Sequence, residues 1–194
     1  IVKEGRVVGR AWTADGGRPH AEPQALEMAG EAAKGATAYV TLEPCAHHGK
    51  TPPCANALIK AGVARVVIAC EDPDPRVNGG GSAMLRAAGI EVTVGVCEAE
   101  ARRDHAGFLS KVERGRPWVT LKLAMTLDGR IATSSGESQW ITGPEARRRV
   151  HMQRASHDAV MVGAGTVRAD DPSLTVRGLG IDRQPARVVM SASG

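Results

Sequence analysis

The stretch Thr41-Leu42-Glu43-Pro44-Cys45-Ala46-His47-His48-Gly49-Lys50-Thr51-Pro52-Pro53-Cys54 decides how this chain folds. It grows out of Ala38-Tyr39-Val40, and the combined run predicts a strand over 37–42 that ends just before Cys45. Thr51-Pro52-Pro53 leads into Cys54, and Ala55 to Ala61 runs on to Gly62. Proline near a first turn and glycine just past a last turn punctuate a helix, here 53–61. Cys54 falls in its first turn, where the positive end of the helix dipole favours a thiolate. Upstream, Pro19 precedes His20-Ala21-Glu22, and residues 21–33 read as a second helix. One strand end and two helix starts thus bring an imidazole and two sulfurs towards one point.

That donor set suits Zn²⁺, which three such ligands hold while leaving a fourth position for water. In an open site the ion lowers the pKa of that water from 15.7 to about 7. His20, Cys45 and Cys54 are therefore the candidate metal ligands. Glu22 lies two residues from His20, and residues two apart on a helix do not share a face. It is expected beside the ion as the proton carrier, not as a fourth ligand. His-x-Glu followed by Pro-Cys and a second cysteine is the layout of zinc-dependent base deaminases. The inter-cysteine loop here is longer than their usual two residues. Cys70 and Cys97, each ending a β-like run, are read as structural.

Composition bounds the rest. A chain of 194 residues, 42% hydrophobic, makes one large domain or two small ones. Net charge of +4 and a pI near 9.1 raise the question of nucleic acid. Three Trp, one Tyr and one Phe are too few for the stacking platforms of single-strand binders. The positive balance is read instead as serving a phosphorylated small molecule, with no nucleic-acid partner. Four cysteines without disulfide-scaffold density point to a reducing compartment, and a cytoplasmic location is expected. No apolar run is long enough to span a membrane, and no signal peptide is visible.

The order of elements argues an α/β fold. A hairpin opens the chain (Ile1-Val2-Lys3, a turn at Glu4-Gly5, Arg6-Val7-Val8-Gly9). After helix 21–33 and strand 37–42 come helix 53–61, strand 64–70, helix 81–88, strand 90–96 and helix 98–109. Such alternation predicts a layered, partly parallel sheet. Lys111 to Pro117 carries charge, Gly and Pro and reads as a linker. Beyond it a second α/β pattern is expected: strand 118–125, helix 143–154, strands 158–163 and 186–190. The chain opens inside a strand-like run, so a preceding segment is expected. About 77 residues after the linker are short for a whole α/β domain, so the second unit is expected to be incomplete.

The residues carry a resemblance. His20-Ala21-Glu22-Pro23-Gln24-Ala25-Leu26 together with 41–54, whose cysteine spacing is that family's variant, resembles the bifunctional deaminase–reductase family of riboflavin biosynthesis. Leu121-Lys122-Leu123-Ala124-Met125-Thr126-Leu127-Asp128-Gly129, Gly136-Glu137-Ser138-Gln139-Trp140-Ile141-Thr142-Gly143, Val162-Gly163-Ala164-Gly165-Thr166 and Asp170-Asp171-Pro172 continue the match in order. The resemblance implies a cytidine-deaminase-like three-layer α/β/α domain (1–111) and a partial dihydrofolate-reductase-like α/β domain (117–194). It implies zinc-dependent removal of an amino group from 2,5-diamino-6-(5-phosphoribosylamino)pyrimidin-4(3H)-one, then NADPH reduction of the ribosyl to a ribityl chain, in a homo-oligomer.

Residue roles follow from the same resemblance. His47 and Lys50, between the cysteines, and Asp72 and Asp74, past the 64–70 strand, are implied to touch the pyrimidine substrate. Ala124, Trp140, Thr166 and Asp170 are implied NADP contacts. Ser138, Arg154, Leu174 and Arg177 are implied substrate contacts. Two guanidinium forks also make physical sense as a phosphate clamp, and glycines at 163 and 165 let backbone approach a phosphate. Lys122 is a candidate to polarise the sugar carbonyl during hydride transfer. Arg147-Arg148-Arg149 reads as a solvated helix face. Two alternatives stand beside this: a nucleic-acid base deaminase, and an inactive metal-binding protein descended from a deaminase.

Overall fold

The computed structural model describes residues 1–49 and 51–192, in two compact units, Ile1–Thr120 and Leu121–Gly194. Each is considered by itself.

The first unit is built on a five-stranded sheet. In chain order its elements are β1 (Val2–Lys3), β2 (Arg6–Val7), α1 (Ala21–Ala29), β3 (Thr37–Leu42), α2 (Cys54–Ala61), β4 (Arg65–Cys70), α3 (Gly80–Ala87), β5 (Glu91–Val94), α4 (Glu98–Asp104) and α5 (Ala106–Arg114). Strand order is β2-β1-β3-β4-β5. The β1–β2 hairpin is antiparallel and β1 lies antiparallel to β3, whereas β3, β4 and β5 run parallel. Parallel neighbours need crossovers, and α2 and α3 supply them. Both crossovers therefore start at the carboxyl ends of β3 and β4, which is where ligands sit in such sheets.

Helices α1, α2 and α3 pack in sequence, and α4 packs on β4. Ala38, Ala55, Leu58, Val63, Val66, Ile68, Leu85 and Ile90 form the core. Val66 and Ile68, two apart on β4, face the same side, as the period of a strand requires. Gly62 ends α2 in the left-handed conformation that glycine adopts without strain.

The structure corrects several boundaries. The expected helix 21–33 is α-helical only to Ala29 and tightens to a 3₁₀ turn over Gly30–Ala33. The expected helix 98–109 is two helices that break at His105. The segment read as a linker from Lys111 is helical to Arg114, and Gly115 (φ 64°) closes it. Leu109 and Ser110 are buried there, so apolar packing outweighs the charge run.

The second unit contains α6 (Pro144–Ala155), β6 (Ala159–Gly163), α7 (Ala164–Asp170) and β7 (Ala186–Met190). β6 and β7 pair in parallel from Ala159 opposite Ala186 to Gly163 opposite Met190. The strand expected over 118–125 is absent. Val119, Leu121, Leu123 and Met125 alternate as a strand should, yet all are exposed, and among the described residues no strand pairs with them. A strand is a property of a pair, so periodicity without a partner leaves extended chain.

Leu58 lies on the inner face of α2, four residues after Cys54, and is fully buried in the core. Leu58→Ala is expected to cost about 2–5 kcal/mol of the first unit's stability in urea unfolding. A loss below ~1 kcal/mol would contradict a close-packed support under that helix.

Candidate metal centre

Three elements deliver the ligands. His20 caps the start of α1 with extended backbone (φ −68°, ψ 167°). Cys45 lies three residues past the end of β3, and Cys54 is the first residue of α2. The His20 Nδ1 atom is 3.3 Å from the Cys54 sulfur and 3.8 Å from the Cys45 sulfur. All three donor atoms lie within 4.8 Å of one another. A tetrahedral zinc site, with Zn–S of about 2.3 Å and Zn–N of about 2.0 Å, has ligand–ligand edges of roughly 3.5–3.8 Å. The residues present fit the ion.

The electrostatics agree. The Cys54 thiol hydrogen-bonds the Cys45 sulfur and pushes it down to about 5, and the Cys54 amide adds a second donor at 3.2 Å. Its partner moves the other way: the bond to Cys45 and then burial push the Cys54 thiol up. A divalent cation would favour both sulfurs as thiolates, since a coordinating thiol is deprotonated outright. Burial raises the Glu22 carboxyl, opposed by hydrogen bonds to its own backbone and to Cys54. Glu22 thus stands against the ligand set from the first turn of α1.

A cavity of about 480 Å³ opens on this point, lined in part by His20, Glu22, Cys45, Thr41, Asp72 and His105. That volume suits a small ligand. Asp72 is buried, which raises its carboxyl, and it accepts the Asp74 amide at 2.9 Å. Asp74 differs from its neighbour. Its carboxylate is bound by Arg76, which holds it far below the usual carboxylate range. His47 is half-buried, and its Nδ1 has no hydrogen-bond partner among the described residues. Lys50 lies outside the described residues.

In the second unit the predicted residues fall into separate groups. Arg154 donates to the Thr175 carbonyl at 3.0 Å, and burial and the nearby Arg177 charge lower it. Two cations this close suit an anion. The Arg177 guanidinium donates to the Ser173 hydroxyl at 3.4 Å, and its amide to His151 Nδ1 at 3.2 Å. Leu174 is buried at positive φ (55°). Trp140 is exposed, with the Arg147 guanidinium 4.3 Å from its ring centroid. Arg147 therefore leaves the solvated face expected of it for a cation–π contact. Thr166 lies in the first turn of α7 and Asp170 ends that helix, both exposed. Ser138 and Lys122 are exposed and Ala124 is half-buried.

Sequence reasoning missed Glu43, Thr41 and His105. Glu43 is 3% exposed and accepts backbone N–H groups of Gly79 and Ser82. His105 hydrogen-bonds Thr41 through Nε2 at 3.0 Å, and burial lowers its ring. The one signal for Glu43 was its place between a strand end and a ligand cysteine. His105 gave none.

Comparisons with known proteins find two families along the chain. Residues 1–70 match the family described as "Cytidine and deoxycytidylate deaminase zinc-binding region", and residues 117–194 match the "RibD C-terminal domain". The riboflavin biosynthesis protein RibD of Escherichia coli (strain K12) is 52% identical over 204 residues, covering 99% of this chain and 56% of that protein. The solved structure of Acinetobacter baumannii RibD (form 1) superposes with a TM-score of 0.86 at 53% identity, over 97% of this chain and 54% of that one. A Thermotoga maritima structure, described as a diaminohydroxyphosphoribosylaminopyrimidine deaminase/5-amino-6-(5-phosphoribosylamino)uracil reductase, gives 0.89 at 45% identity, over 100% and 55%. The chain spans about half the length of the curated relatives it matches. With both domain types in order and about half of all positions identical along nearly its full length, the chain belongs to the RibD family of riboflavin-biosynthesis proteins.

Proposed function

We propose that this chain carries the zinc-dependent deaminase of a riboflavin-pathway enzyme and part of its NADPH-dependent reductase. In this reading residues 1–111 form the deaminase domain and 117–194 belong to the reductase domain. The observation that carries it is the meeting of His20, Cys45 and Cys54 beside Glu22, at the wall of a cavity large enough for a pyrimidine.

The reaction replaces a ring C–NH₂ by C=O, consuming water and releasing ammonia from 2,5-diamino-6-(5-phosphoribosylamino)pyrimidin-4(3H)-one. His20, Cys45 and Cys54 would hold the zinc, which when bound supplies Lewis acidity and acidifies a coordinated water. Glu22 takes a proton from the attacking water and delivers it to a ring nitrogen, then takes the second proton from the added hydroxyl as C=O forms and passes it to the departing amine. A buried carboxyl with a raised pKa suits both directions of transfer. Asp72, buried at the cavity wall, accepts hydrogen bonds from the ring or ribose. His47 and Lys50 recognise the ribosyl phosphate, and Asp74 closes that side through Arg76.

In the reductase portion Arg154 and Arg177 grip the substrate phosphate, with Ser138 and Leu174 beside them. Ala124, Trp140, Thr166 and Asp170 contact NADPH, and Lys122 polarises the sugar carbonyl. The protein works in the cytoplasm as a homo-oligomer, on a small phosphorylated pyrimidine. No helix of the described residues is long and apolar enough to cross a membrane. A nucleic-acid base deaminase is disfavoured by the reductase-type second unit and the scarcity of aromatics.

Two measurements test this. Glu22→Gln should keep one zinc per chain while ammonia release falls by about 10²–10⁴-fold, the usual worth of a positioned acid–base group. Unimpaired turnover in that variant removes Glu22 from its role. Zinc titration by calorimetry at pH 7, in buffers of different ionisation enthalpy, should show net proton release on binding, since coordination deprotonates the raised Cys54 thiol. Binding with no proton released would contradict coordination through the Cys54 sulfur.

A further inference from the structure

We infer that Glu43 is a positioning residue for the deaminase site: it caps α3 from a distant strand end and so holds residues 72–79 as the common wall of the metal ligands and the substrate cavity. The inference rests on the deaminase reading for its kinetic arm only.

The argument starts from α3. Its N-cap, Gly79, sits in left-handed backbone (φ 76°) and has no side chain to satisfy the first-turn amides. Ser82, three residues on, is 2% exposed, so water does not serve its amide. Glu43 does. Its Oε1 accepts the Ser82 amide at 2.9 Å, and its Oε2 accepts the Gly79 amide at 3.0 Å and, more weakly, the Asp72 amide at 3.4 Å. A carboxylate accepting from a helix's first turn is favoured by charge-assisted bonding and by the helix dipole. An N-cap is normally a neighbour in sequence; this one comes from 39 residues away.

The bonds continue outward from Glu43. Asp72 takes the Asp74 amide on its own carboxylate, and the Asp74 carbonyl takes the amides of Val77 (2.8 Å) and Asn78 (3.0 Å). Val77, fixed by this chain, is buried against Cys45 and Cys54. Asp72, fixed by the same chain, lines the cavity beside Glu22. The approach is close: a Cβ at Gly81 would collide with the Pro44 carbonyl, so α3 begins directly on the turn that carries Cys45. Two amides, one apolar wall residue and one cavity carboxylate therefore take their places from a single side chain. Glu43 itself is no ligand: its two oxygens are committed to amides, and it is not in the metal-ligand group. His20 and Cys54 sit on α1 and α2, outside those bonds, so the ligand set keeps two of its three anchors when they weaken.

The test compares the zinc-loaded chain with Glu43→Gln and Glu43→Asp. In Glu43→Gln zinc stays at one per chain, while hydrogen exchange at the Asp72, Gly79 and Ser82 amides speeds by about tenfold or more and β3–β4 amides keep their rates. KM for the pyrimidine phosphate rises by about tenfold with kcat within about threefold, as for lost substrate positioning. Glu43→Asp, shorter but still charged, falls between. Uniform acceleration of all amides would mean a merely structural role and overturn the proposal. So would lost zinc, or unchanged exchange and KM. If neither variant folds, exchange in the unaltered chain decides: the Gly79 and Ser82 amides should be as protected as those of β4, and rapid exchange there refutes the cap. Failure of the unaltered, zinc-loaded chain to release ammonia would instead count against the deaminase reading, leaving exchange and zinc content to judge Glu43.

Discussion

The Cys45 and Cys54 sulfurs are hydrogen-bond neighbours, and two buried sulfurs this close ionise together only against a compensating charge. A divalent cation removes that conflict, and the imidazole of His20 stands where a third donor is needed. The surrounding architecture is the means of bringing these groups together. A parallel β3–β4 pair forces a crossover, the crossover is α2, and α2 starts on Cys54. The hydrophobic core under α2 thus bears on chemistry as well as stability, since it fixes where that helix begins.

Much of this was legible in the residues. Proline before Cys54 and glycine after Ala61 marked α2 to within a residue, because both act through local backbone geometry. The run 37–42 was legible for a similar reason: its β-branched and aromatic residues mark a strand in local composition. Features set by distant contacts were not. Nothing near Glu43 in sequence says that the chain past β4 will fold back and present amides to it. The break at His105 and the continuation of helix to Arg114 depend on burial of Ala101, Leu109 and Ser110, which a charged sequence conceals. Residues 118–125 show the opposite failure, a strand pattern with no neighbour among the described residues to pair with.

The two units differ in how far their sites are built. In the first, ligands, proton carrier and cavity wall lie on short segments tied to one core. In the second, α6 and α7 have no buried residues, and the groups assigned to NADPH and to the sugar stand largely exposed. Leu174 is the exception, buried at positive φ in the loop after α7, and Arg154 on α6 is half-buried near the Arg177 charge.

Zinc K-edge X-ray absorption on the metal-loaded protein tests the central claim most directly. The account predicts two sulfur scatterers at about 2.3 Å and nitrogen or oxygen scatterers at about 2.0 Å completing a four-coordinate shell. A shell with fewer than two sulfurs would contradict it, because Cys45 and Cys54 would then not share the ion.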